Sequence, residues 1–244
     1  MRVFSHTYIG QRKSQQDNFR LDREDGFFVV CDGVGGTDDG NIASQFISDY
    51  LFNHRHELIS TYKMKKSVID ASKSLKHFMQ SQNDVNKTGT TLAMVKQNHL
   101  SKYYLVTIGD TRVYLFYPSK SSFWHSKDHS LVQEMIDEKL LEYDKNQKNH
   151  PMRNFITKSI NSSQDMDFDD VVVQEVDVDK KDTCMIICTD GVWEILDENF
   201  ILKQFSCQPT DHVFELIKTE VHLKARDNAT FIIIDFRPDF TKSL

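Results

Sequence analysis

Five aspartates fall where a short apolar segment ends or begins. Asp32 closes Phe28-Val29-Val30-Cys31 and precedes Gly33, Val34 and the pair Gly35-Gly36. Asp190 closes Met185-Ile186-Ile187-Cys188-Thr189 and precedes Gly191. Asp110 follows Leu105-Val106-Thr107-Ile108-Gly109, and Asp227 stands just ahead of the apolar segment 231–234. Asp17 lies in the N-terminal stretch Arg12-Lys13-Ser14-Gln15-Gln16-Asp17. One Asp-Gly after a strand is an ordinary turn. Several carboxylates at the mouths of buried strands repel one another unless they are protonated or bridged by cations. Hard divalent ions that take oxygen ligands, Mg²⁺ or Mn²⁺, suit such a set. Gly33 adds a carbonyl that no Cβ crowds. Zinc fits less well, because none of the ten histidines forms an H-E-x-x-H pattern and the four cysteines form no C-x-x-C pair. His54 and His56, two apart, do not share a helix face.

The elements that must hold these carboxylates are mixed. Residues 27–31, 185–188 and 231–234 read as fully buried strands, and 90–95, 103–108 and 113–117 as strands in close succession. Residues 171–178 alternate polar and apolar, as a half-buried strand does. Helical spacing marks 41–52, 67–79, 130–141 and 212–221. The polar stretch 142–149 and the acidic stretch 161–170 read as surface loops. Strands that follow one another without intervening helices point to antiparallel sheets under segregated helices rather than a doubly wound parallel sheet.

With 244 residues, 39% of them hydrophobic, the chain can bury a sizeable core and is expected to form one domain over residues 1–244. Its net charge of −6 offers no basic field for nucleic acid or an anionic membrane surface. No apolar run is long enough to span a bilayer, residues 1–6 lack a signal-peptide pattern, and the cysteines read as reduced thiols. A cytoplasmic monomer is the expectation.

These residues lie in motifs that resemble the type 2C metal-dependent protein serine/threonine phosphatases, in their compact bacterial form. Gly10-Gln11-Arg12 with Asp17 resembles the family's opening segment, and Asp32-Gly33-Val34-Gly35-Gly36 its D-G-x-G-G core. Gly89-Thr90-Thr91-Leu92 and Gly109-Asp110-Thr111-Arg112 are similar to its next two signatures. Asp128-His129-Ser130 and His150-Pro151-Met152-Arg153-Asn154 resemble the segments around its flap. Thr189-Asp190-Gly191-Val192-Trp193 and Asp227-Asn228-Ala229-Thr230 complete the order.

The resemblance implies an α+β fold, a four-layer αββα sandwich of two antiparallel sheets flanked by helices, with a flap at about 128–154. It implies two or three Mn²⁺ or Mg²⁺ ions. Asp32 would bridge two of them, with the Gly33 carbonyl on one and Asp190 and Asp227 on the other. Asp17 would stand behind them holding a water, Asp110 with Asp190 would bind a third ion, and Arg12 would clamp the substrate phosphate. The reaction implied is hydrolysis of phosphoserine and phosphothreonine on proteins by metal-activated water, opposing a serine/threonine kinase.

Four positions depart from the family pattern. Gln16 stands where relatives carry Glu, which removes a charge near the ions. Val34 stands where animal members carry a histidine, so no general acid is assigned. Lys158 and Asn161 replace Arg and Gly near the flap. The alternative reading is a catalytically weak pseudophosphatase that binds phosphoproteins; retention of all five aspartates opposes it.

Overall fold

The computed structural model describes residues 1–34, 40–82, 88–98, 102–142, 148 and 150–238. Gly35 and Gly36 of the core motif, and residues 143–147 and 149 of the expected flap, lie outside the described residues.

The chain opens with strands β1 (Arg2–Tyr8), β2 (Asp17–Asp22) and β3 (Phe27–Val34), followed by helices α1 (Gly40–Asn53) and α2 (Thr61–Ser81). Five strands come next: β4 (Gly89–Thr90), β5 (Leu92–Gln97), β6 (Lys102–Ile108), β7 (Arg112–Tyr117) and β8 (Ser122–His125). Short helix α3 (Leu131–Asp137) precedes β9 (Ile160–Asn161), β10 (Val173–Asp177) and β11 (Cys184–Cys188). The last elements are α4 (Asp190–Trp193), α5 (Glu198–Cys207), α6 (Thr210–Lys224) and β12 (Ala229–Asp235).

The strands form two antiparallel sheets. One has the order β1-β12-β11-β7-β8; the other runs β10-β6-β5-β3-β4-β9, with β2 also paired to β3. Three hydrophobic layers separate four structural ones, and the central strands feed two layers at once. In β3, Phe27, Val29 and Cys31 face α1 and α2, while Phe28 and Val30 face the other sheet. In β12, Phe231 and Ile233 face α5 and α6, while Ile232 and Ile234 face inward. A strand covered on both faces must be apolar at every position, hence the unbroken runs in the sequence.

The helices present single stripes. Ala43, Ile47 and Leu51 of α1 and Met64, Val68, Ala71, Leu75 and Met79 of α2 are buried at three- and four-residue spacing. Val213, Ile217 and Val221 do the same for α6. The Ser60 hydroxyl accepts from the Lys63 N–H, the Ser130 hydroxyl from Gln133 and the Asp197 carboxylate from Phe200, capping α2, α3 and α5.

The αββα sandwich matches the expectation, with differences at element ends. Helix α2 begins at Thr61, a turn and a half before the periodic stretch 67–79, because Ser60 caps it there. The expected helix 130–141 stops at Asp137, where Lys139 takes a left-handed φ of 60° and breaks the helical path.

Candidate metal centre

The carboxylates meet at one end of the sandwich. Asp17, first residue of β2, pairs in register with Asp32 of β3. Asp32 is fixed through its backbone: its N–H donates to the Thr91 hydroxyl at 3.0 Å, and its carbonyl accepts from the Thr91 N–H at 2.8 Å and the Thr90 hydroxyl at 2.9 Å. Gly33 lies against Gly40, the first residue of α1. A Cβ at Gly33 would sit 2.3 Å from the Gly40 carbonyl oxygen, so no side chain fits there.

Asp190 starts α4 directly after β11. Gly191 packs so closely on the loop before β12 that a Cβ would meet the Asn228 carbonyl oxygen at 2.1 Å. Asp110 lies in the β6–β7 turn beyond Gly109, whose φ of 88° requires glycine; the Trp193 indole N–H donates to the Asp110 carbonyl at 2.8 Å. Asp227 lies in the α6–β12 loop.

Two residues that sequence reasoning gave no role hold these loops together. The Asn228 side chain donates to the carbonyls of Ile9 and Ser14, at 2.8 and 3.1 Å, and accepts from the Gln16 N–H at 2.7 Å. The loop bearing Arg12 is thereby strapped to the loop bearing Asp227. The Thr189 hydroxyl donates to the Asp17 carboxylate and accepts from the Thr230 N–H, both at 3.0 Å. Adjacency to Asp190 and Asp227 in sequence is the only signal that could have singled them out.

Arg12 reaches the site, but its fork lies on Asp227. Its Nε donates to one carboxylate oxygen at 2.6 Å and a terminal nitrogen donates to the other. The Arg12 side chain is 61% exposed and that of Asp227 37%, so the pair stands at the rim rather than in the interior. A second arginine, Arg112, is buried: it donates to both Asp128 oxygens at 2.8 and 2.6 Å and stacks 3.7 Å over the Trp193 ring. It ties the start of the expected flap to the helix that carries Asp190.

Burial governs the electrostatics. It pushes the Asp17 carboxyl up to about 7, against the hydrogen bonds from Thr230 and Thr189. Asp110 also rises to about 7, through burial and then the charge of Asp128. Asp32 and Asp190 are held well above the usual carboxylate range by burial and then by neighbouring carboxylates. One oxygen each of Asp17, Asp110 and Asp190 is buried with no hydrogen-bond partner. Buried, unsatisfied, mutually repelling oxygens are costly unless protons or cations sit among them. The donor set consists of oxygens, so it fits a hard divalent ion. Among the described residues, no three His, Cys, Asp or Glu side chains are already drawn into a closed ligand set. Arg12 supplies the counter-charge to Asp227 instead.

No family model matches the chain. A serine/threonine phosphatase, Stp, of Listeria monocytogenes is 27% identical over 180 residues, spanning 70% of this chain and 68% of the relative. The serine/threonine phosphatase PstP/Ppp of Mycobacterium tuberculosis superposes with a TM-score of 0.84 at 20% identity, covering 97% of this chain and 99% of that one. The catalytic domain of a serine/threonine protein phosphatase PstP, solved with two manganese ions, gives 0.79 at 18% identity, with 96% and 97% covered. The ordered aspartate motifs resemble those of the type 2C metal-dependent protein phosphatases, the chain is similar in sequence to serine/threonine phosphatases, and it shares their αββα fold.

Proposed function

We propose that the chain removes phosphate from phosphoserine and phosphothreonine on proteins. The observation that carries this reading is the gathering of Asp17, Asp32, Asp110, Asp190 and Asp227 at one end of the sandwich, three of them with orphaned buried oxygens. Asp32, the Gly33 carbonyl, Asp190 and Asp227 would hold two ions, Asp110 with Asp190 a third, and Asp17 would support them from behind. Mn²⁺ or Mg²⁺ bound there supplies Lewis acidity to the phosphoryl group and to water.

The chain's own residues do the rest. Arg12, exposed at the rim, would clamp the substrate phosphate, its planar fork matching two phosphate oxygens. The Asn228 strap keeps Arg12 beside Asp227 and so limits the arc it travels. Asp32 and Asp190 keep fixed backbone positions through Thr91 and the Gly191–Asn228 contact, so little reorganisation accompanies charge development. Val34 offers no proton, and the leaving alkoxide takes one from water.

The finer reading is a cytoplasmic monomer acting on the substrates of a serine/threonine kinase. Among the described residues no helix is long and apolar enough to cross a membrane. Residues 128–154 are proposed as a flap on this single domain, since Lys148, Arg153 and Asn154 line the same cleft as Asp190 and Asp227.

Hydrolysis of a phosphothreonine peptide should require Mn²⁺ or Mg²⁺, stop with EDTA, and fall to background in Asp32→Asn. A folded protein that binds the ions yet turns over nothing with either metal would leave phosphoprotein binding as its function.

A further inference from the structure

Beside the aspartates, a cleft of about 450 Å³ opens towards α6. This volume lies within the range of small-ligand pockets, about 300–1,000 Å³, and exceeds what one phosphoryl group fills. Five cationic side chains line it, Arg12, Lys148, Arg153, Lys224 and Arg226, against three carboxylates. In a chain of net charge −6 this concentration of positive charge needs a reason. Two of the carboxylates, Asp190 and Asp227, belong to the metal centre, and the third, Glu194, is taken by the Nε of Arg153 at 2.7 Å.

Arg226 stands apart from the other four. Lys148 bonds Glu198 at 2.8 Å, and Lys224 pairs with Glu220 on its own helix. The exposed guanidinium of Arg226 makes no hydrogen bond or ion pair among the described residues. Its backbone is nonetheless held, because its carbonyl accepts from the Gln11 N–H at 3.1 Å, one residue before Arg12. A fixed backbone with an uncommitted cation is a recognition element rather than a brace. Among the described residues no aromatic ring lines the cleft, so none of them offers a nucleobase a stacking face.

We propose that this cleft is a second anion subsite, in which Arg226, helped by Lys224 and Arg153, receives a carboxylate or phosphate on a residue flanking the phosphoresidue held by Arg12. The proposal rests on the phosphatase reading and deepens it: preferred substrates are phosphopeptides with an anionic neighbour.

The test compares kcat/KM, with Mn²⁺, for phosphothreonine peptides flanked by alanine, by glutamate or by a second phosphoserine. Wild type, Arg226→Glu and Lys181→Glu are assayed. Lys181 lies on the β10–β11 loop, at the far end of β11 from Asp190, and matches the change in net charge. Exposed charge pairs change affinity a few-fold, so reversal at Arg226 should lower the anionic-to-neutral preference about tenfold. Lys181→Glu should keep the wild-type ratio. The glutamate and phosphoserine arms tell which anion is favoured. Equal rates on all three peptides in wild type, or a preference that survives Arg226→Glu, would overturn the subsite. If not even the neutral peptide is hydrolysed, the phosphatase reading fails instead. Fluorescence anisotropy of the same uncleaved peptides on the same variants then decides the subsite by the same ratio.

Discussion

Strand β12 has an aspartate near each end, and the two ends have opposite chemistry. Asp235 is wholly buried, yet every charge around it is answered: Arg2 donates to it at 2.6 Å, Arg237 through its side chain at 3.0 Å and its backbone at 2.9 Å, and the Thr210 hydroxyl adds another bond. Burial pushes its pKa up, but the bonds from Arg237 and Thr210 outweigh that and hold it below the usual value. At the other end Asp17 and Asp110 are buried, Asp32 and Asp190 half-buried, and all four are shifted upward. The difference lies in the partners. A carboxylate whose cation is part of the chain braces the fold, whereas the four left without one are those proposed above to take an ion from solution.

The largest effect should come from breaking the satisfied end. Asp235→Ala leaves Arg2 and Arg237 without their shared anion and should cost about 3–5 kcal/mol in urea denaturation. Mn²⁺ affinity, measured by calorimetry roughly 20 Å along the strand, should hold. An equal loss of metal affinity would dissolve the contrast.

The open end should respond next, and with the opposite pH sign. Asp17 and Asp110 have folded pKa values of about 7 against the ordinary 3.8, so the folded state binds extra protons between those values. Their contribution is fully present below pH ~4 and is lost as pH rises to about 7. Asp235, shifted down, loses its contribution only as pH falls below its ordinary value. Metal-free protein should therefore melt at progressively lower temperature from pH 4 to 7. Mn²⁺ at a hundred times its Kd should restore about 2.7 kcal/mol at pH 7. A melting temperature flat over that range without metal would mean that the open end is not under electrostatic load.

The smallest change sharpens the boundary between the two ends. Thr189→Val removes the hydroxyl between Asp17 and the Thr230 N–H and should cost about 1–2 kcal/mol, with a few-fold loss of metal affinity. Stability lost without any change in affinity would make Thr189 a brace like Thr210.

Much of the open end was legible because its residues punctuate the strands. Asp32 and Asp190 interrupt runs that are apolar at every position, and such runs arise only where two cores meet on one strand. The satisfied end was not legible. Asp235 also ends an apolar run, but Arg2 reaches it through a strand pairing that no local pattern reveals, and Arg237, two residues on, carries no periodic signal. Strands β1, β2 and β8 escaped notice because half-buried edges mix polar and apolar positions without strict alternation. Helix α5 was missed for its short apolar stripe, Ile201, Leu202 and Phe205. Nor could spacing show that Arg12 would fork onto Asp227, since that bond is a matter of which counter-charge is nearest once the loops are strapped together.

That strap also carries a consequence for biosynthesis. Arg12 and Asp227 are 215 residues apart in sequence, and β1 pairs with β12, at the other end of the described chain. Contacts so remote form late, because a long loop must close before they are rewarded. A ribosome therefore exposes Asp32 and most of one sheet long before the centre can exist. On the proposed centre, competence waits for Asp227 and β12, so a nascent chain that stops short of them lacks the means to strip phosphate from its neighbours.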